Sequence, residues 1–197
     1  MSKNSEVDID NSGDNSGVIV AMNTGTINCQ LQNSIKIPSK LAIIIKTLGA
    51  ACADEDDSQS LSFVAFKPDE KIQYNCVIKY DQIIREYATY FSQCEDAMNV
   101  YDNSNMGSKS RILRCIRNWY LEFKGELLLL FKDDNKQDIE IVRSNADVLI
   151  DKVSQKVRDI ILQSSNSIEL DHEDMELGIT SFVCYCFMKC KILEKPL

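Results

Sequence analysis

This chain has little of what active sites are usually made from. One of its 197 residues is a histidine, His172. It stands between Asp171 and Glu173. A general base needs an oriented partner, so His172 reads as a solvated or helix-capping residue. The seven glycines are too scattered to form a phosphate-cradling loop, and there is no Gly-x-Ser-x-Gly elbow. The acids of residues 169–176 read as a solvated charge run rather than a catalytic carboxylate pair. Long hydrophobic runs are missing too. The most apolar stretches, 127–131 and 177–188, are too short to span a bilayer. The polar N-terminus lacks the apolar stretch of a secretion signal. Basic charge is in deficit: the formal net charge is -8, which argues against a general affinity for nucleic acid or an anionic membrane.

Cysteine is not scarce. Eight occur, at positions 29, 52, 76, 94, 115, 184, 186 and 190. Without a secretion signal, and with most of them inside apolar helical patterns, they read as reduced core thiols of a cytoplasmic protein. Cys184, Cys186 and Cys190 invite a zinc reading. On a helix, however, 186 and 190 share a face while 184 lies about 200° from 186. Core packing is the better account, and neither metal nor cofactor is expected.

The most unusual feature is at the start. Asp10-Asn11-Ser12-Gly13 is repeated at once as Asp14-Asn15-Ser16-Gly17, and Val18-Ile19-Val20, Asn23-Thr24-Gly25 and Thr26-Ile27-Asn28 follow. Turn formers alternate with residues that favour extended chain. Residues 1–33 therefore read as an assembly segment, either β-arches or disordered when alone. Val18, Ile19, Val20, Thr26 and Ile27 are its pairing residues, and self-association is one use for it.

Residues 34–197 read as a mainly α, bundle-like domain with one small β element. Ser39 is a good N-cap for a helix running towards Ala51. Residues 61–66 alternate as a short strand would. From Val77 to Met98 apolar residues recur at three- and four-residue steps, which predicts one long amphipathic helix. Further helices are predicted from Ser108 to Leu127, from Asp147 to Leu162 and from Glu173 to Cys190, the last apolar nearly all round. The tyrosines at 74, 80, 87, 90 and 101 read as core residues with hydroxyls at the edge. Arg111, Arg114 and Arg117 step by three beside Lys109. They read as a solvated face or as a docking patch for an acidic surface.

Two runs carry a resemblance. Lys71-Ile72-Gln73-Tyr74-Asn75 opens the helical region, and Phe187-Met188-Lys189-Cys190-Lys191-Ile192-Leu193-Glu194-Lys195-Pro196 closes it. In this order they resemble the Lys-Ile-x-Tyr-Asn-like opening and Phe-x-x-Cys-Lys-Ile-x-x-x-Pro-like close of a known domain. It is the C-terminal domain of effectors in bacterial ABC-three-component conflict systems, a group overlapping Lamassu-type antiphage defence. The resemblance covers roughly residues 66–197. It rests on Lys71, Ile72, Tyr74, Asn75, Phe187, Cys190, Lys191, Ile192 and Pro196. It implies a domain that couples an effector to an SMC- or ABC-type ATPase and a small middle component. No effector module precedes it here, so it implies a non-enzymatic adaptor with the toxic activity carried elsewhere. A second reading is a signalling-amyloid adaptor in which residues 9–29 form a cross-β template for a partner effector. In either case Phe187, Cys190 and Ile192 are expected in the core, and Lys191 and Lys195 in solvent.

Overall fold

The computed structural model describes residues 38–53, 68–165 and 171–196. Among them lie eight α-helices: α1 (Lys40–Ala53), α2 (Pro68–Asn75), α3 (Asp81–Tyr87), α4 (Phe91–Ser104), α5 (Ser108–Leu130), α6 (Asp138–Ser144), α7 (Ala146–Leu162) and α8 (His172–Met188). A 3-10 turn, Ala88–Tyr90, joins α3 to α4. The described part is mainly helical, with no strand among the described residues. The segment expected to pair through Val18, Ile19, Val20, Thr26 and Ile27, and the strand expected at 61–66, lie outside the described residues.

Helix starts follow local chemistry. Ser39 Oγ accepts the Leu41 N–H at 3.2 Å ahead of α1. Pro68 occupies the first position of α2, where its missing N–H costs nothing, with Asp69 and Glu70 behind it. Gln137 and Glu140 form a reciprocal capping box at α6. Glu173 and Asp174 occupy the first turn of α8.

The core is built around α8, which packs against α1, α3, α4 and α7. Every residue from 181 to 188 is buried, as an all-round apolar helix requires. α1 runs antiparallel to it, and two glycines set the spacing. A Cβ at Gly49 would sit 2.1 Å from the Asp174 carbonyl oxygen, and one at Gly178 would sit 2.3 Å from that of Ile45. Neither position has room for a side chain. α5 lies further out, against α1, α4, α6 and α7, and buries Ile112, Ile116, Tyr120 and Leu127.

The single helix expected from Val77 to Met98 is instead broken. Residues 76–80 form a turn after α2, and the 3-10 turn then separates α3 from α4. The buried stripe nevertheless continues through the break at Ile84, Ala88, Phe91, Cys94 and Met98. Periodicity therefore marks the buried face and is blind to the kink. At that kink Thr89 Oγ1 donates to the Glu86 carbonyl at 2.8 Å, a local bond that competes with helix continuation. α6 has no counterpart in the expected helices.

Candidate functional site

The two runs that bracket the domain in sequence meet in space. Each begins as a helix end. At the close of α2, the Val77 N–H bonds the Ile72 carbonyl at 3.1 Å and the Cys76 N–H bonds that of Gln73 at 3.2 Å. At the close of α8, the Lys191 N–H bonds the Cys186 carbonyl at 2.9 Å and the Cys190 N–H bonds that of Phe187 at 3.0 Å. Both are Schellman motifs. In both, the left-handed position that usually takes glycine holds a cysteine, Cys76 at φ 55° and Cys190 at φ 54°.

Lys71 joins the two ends. It is wholly buried. Its ammonium donates to the carbonyls of Phe187 and Ile192, the latter at 2.8 Å, and lies 4.4 Å from the centre of the Phe187 ring. Burial pulls its pKa down to about 8, and the neighbouring Arg117 charge acts the same way, while Cys190 at hydrogen-bond reach opposes the shift. Asn75 completes the clamp. Its amide donates to the Lys71 and Glu194 carbonyls at 2.9 Å each, and its oxygen accepts the Glu194 N–H at 3.0 Å. Phe187 and Ile192 are buried as expected, and Ile72 is buried with them. Tyr74 is half-buried with Arg143 stacked 4.5 Å over its ring, and Pro196 is half-buried. Two expectations need correction. Cys190 is half-buried rather than core, because the left-handed turn carries it out of the helix. Lys191 is also half-buried rather than exposed, because the same turn folds back towards the helix. Lys195 is exposed as expected.

Two carboxylates tie this region outward. Glu194 accepts from Tyr120 at 2.7 Å and Lys124 at 2.8 Å. Glu95 accepts from Tyr185 at 2.6 Å, from Lys189 at 2.8 Å and from Lys109. Burial alone would raise the Glu95 pKa, but these three donors outweigh it and hold it at about 2. For Glu194 too, burial is outweighed by its donors and the net shift is downward. The Tyr120 and Tyr185 hydroxyls are pushed upward, by burial and by their carboxylate acceptors. Of these residues only Lys189 and Glu194 fall within the sequence runs. Glu95, Lys109 and Tyr185 come from separate helices, with no spacing to connect them.

Outside the clamp, a groove of about 480 Å³ opens between α3, α7 and α8. Ile84, Ile150, Val183, Cys184 and Phe187 form its apolar floor, and Tyr80, Asp151, Lys152, Gln155 and Arg158 its rim. Burial raises the Cys184 thiol to about 12. Burial and a hydrogen bond to Asp151 raise Tyr80 to about 12. Arg158 is fixed to Glu176 at 3.0 Å. These shifts move both groups away from neutral pH, so neither Cys184 nor Tyr80 is poised as a general acid or base. Beside the groove, Ile78 is 81% exposed and Val148 48% exposed. They line a shallower depression of about 350 Å³ with Cys76 and Asp147.

The basic cluster divides. Arg111 and Arg114 are exposed. Arg117 is half-buried, with its guanidinium 4.9 Å from the Tyr120 ring centre and 3.4 Å from the Leu193 carbonyl. It faces the chain end, so the three do not form one open patch. His172 is the exposed first residue of α8. Cys76, Cys94, Cys115, Cys184, Cys186 and Cys190 are free thiols. Cys94, Cys184 and Cys186 are buried, but Cys76 and Cys115 are exposed, which corrects their reading as core residues. Cys76 sits in a helix-ending turn and Cys115 on the solvent side of α5. No group of His, Cys, Asp or Glu side chains among the described residues could hold a metal ion. No helix among them is long and apolar enough to cross a membrane. The chain matches no protein-family model, no curated protein and no solved structure.

Proposed function

We propose that this chain is a non-enzymatic adaptor of a bacterial antiphage conflict system, which docks an SMC- or ABC-type ATPase, a small middle component or an effector protein. The observation that carries the reading is the meeting of the two resemblance-bearing runs. Lys71 and Asn75 bond to the backbone of Phe187, Ile192 and Glu194. Both runs are thus consumed in holding the domain shut, which favours a recognition scaffold over a reaction centre. Lys71, the one strongly shifted amine among the described residues, is fully enclosed and bonded. What the domain offers outward is an apolar-floored groove with polar and charged side chains around it, the usual chemistry of a peptide- or helix-binding cleft.

The first test is gene neighbourhood, where an adjoining SMC- or ABC-type ATPase gene is expected. The second titrates that purified ATPase onto the full chain. Saturable binding is expected, weakened at least tenfold by Ser154→Trp, which fills the groove from α7. Absence of such a gene removes the assignment to this system. Binding unchanged by Ser154→Trp moves the docking surface elsewhere.

A further inference from the structure

The clamp contains a thiol and an amine side by side. A lysine ammonium carries three N–H bonds. On Lys71, two of them go to the carbonyls of Phe187 and Ile192. The Cys190 thiol lies at hydrogen-bond reach of the same nitrogen. The backbone fixes this closeness independently. The Phe187 carbonyl that accepts from Lys71 also accepts the Cys190 N–H, at 3.0 Å, so the ammonium and residue 190 share one acceptor atom. Lys71 is wholly buried, whereas Cys190 is half-buried. Solvent therefore reaches the residue that carries the thiol and not the amine.

The turn itself does not require that thiol. Cys190 stands at φ 54°, a position that glycine fills without a steric cost. What the cysteine adds there is a sulfur against an enclosed lysine. A partly exposed thiol beside a cation is the setting in which cysteine reacts with peroxides. The lysine is suited to take part as well. Burial holds its pKa down to about 8, so a large share of it is the free base in mild alkali. The free base still has two N–H bonds for the two carbonyls, and a lone pair replaces the third proton.

We infer that Lys71 and Cys190 form a reversible covalent S–N bridge when a peroxide oxidises the thiol. In the first step the Cys190 sulfur attacks the O–O bond of hydrogen peroxide. The sulfur gains a hydroxyl as sulfenic acid and is oxidised by two electrons, and the peroxide is reduced and leaves as water. In the second step the Lys71 lone pair attacks that sulfur. The S–N bond forms, the S–O bond breaks, and the hydroxyl leaves as a second water with a proton from the amine. This step exchanges no electrons with an outside reagent. One thiol, one amine and one hydrogen peroxide thus give a sulfenamide and two waters, a condensation that sulfenic acids undergo with nitrogen. An added thiol attacks the sulfur, releases the amine and returns the cysteine through a mixed disulfide. The bridge makes the clamp covalent and ties the two runs that close the domain.

The experiment treats the full chain with hydrogen peroxide at pH 8 and maps its digest by mass spectrometry without reductant. The expected product joins the Lys71 peptide to the Cys190 peptide and is lighter than their sum by two hydrogen atoms. It should disappear on adding dithiothreitol, and it should not form when the chain is unfolded in urea before oxidation. The urea midpoint of the folded protein should rise on oxidation and return on reduction. Cys190→Ser should show neither the link nor the rise. Modification of exposed Cys115 that leaves Cys190 a free thiol overturns the inference. So does a Cys190 sulfenic acid trapped by dimedone, or a Cys190 disulfide, with no link to Lys71. A link formed equally in the unfolded chain overturns it too, because the fold would then not select the pair.

Discussion

At the scale of single residues, the chain places side chains where a simpler residue would usually stand. Cys76 and Cys190 both hold the left-handed position that ends a helix. A residue with a Cβ pays roughly 1 to 2 kcal/mol there, while glycine gives back about 0.5 to 1 kcal/mol as extra freedom in the unfolded chain. Cys76 is exposed, and Cys76→Gly should stabilise the domain by about 0.5 to 1 kcal/mol, read from the urea midpoint. Cys190 differs because its thiol interacts with the Lys71 ammonium. Cys190→Gly should gain less than Cys76→Gly, or lose stability. Equal gains at the two sites would mean that the thiol contributes nothing to the clamp.

At the scale of elements, glycines separate close packing from open surface. Gly178→Ala would force a methyl to within 2.3 Å of the Ile45 carbonyl oxygen. Backbone has to move, and overpacking of this kind costs about 1 to 3 kcal/mol. Gly125→Ala meets open space and should stabilise the domain by about 1 kcal/mol through helix propensity alone. Thermal melts at low micromolar concentration are expected to move in opposite directions. A Gly178→Ala variant as stable as wild type would mean that α1 and α8 are not held this close. Several elements were legible in the sequence because each has both a stripe and a terminus signal. α7 carries a stripe through Ile150, Val153, Val157 and Ile161, and Ser39 and the Glu173–Asp174 pair mark the starts of α1 and α8. The break at Ala88–Tyr90 was not legible, because the buried stripe crosses it without a change of period. α6 was missed because seven residues with two buried side chains make no stripe. The clamp was half legible. Its residues stood out as two motifs, but Lys71 gives no sequence sign of burial, and only the fold brings it to the carbonyls of Phe187 and Ile192. The groove was not legible, since α3 lies far along the chain from the α7 and α8 walls it faces.

At the scale of the whole molecule, a half-buried carboxylate and an enclosed amine make stability depend on pH, one in acid and one in alkali. Glu95 holds α4 to α5 and to the end of α8 through Lys109, Lys189 and Tyr185. Its pKa in the fold is about 2, against an ordinary 4.5. Its contribution is therefore complete above about pH 4.5 and is lost as pH falls towards 2, because the unfolded chain takes up the proton first. Lys71 works at the other end. Its pKa in the fold is about 8, against an ordinary 10.5. Between those values the unfolded chain binds more protons than the folded one, so stability rises with pH across that window. For so buried a group the rise is on the order of 3 kcal/mol. Comparison with variants isolates each term, because tyrosine hydroxyls do not ionise between pH 3 and pH 5, and Tyr120 and Tyr185 bond carboxylates rather than Lys71. The stability difference between wild type and Glu95→Gln should shrink on going from pH 5 to pH 3. That between wild type and Lys71→Met should grow in favour of wild type from pH 8 to pH 10.5. Both are read from urea unfolding at each pH. If the Lys71→Met difference stays flat across the alkaline window, the amine is not enclosed between the two chain runs, and the clamp on which the proposed function rests is lost with it.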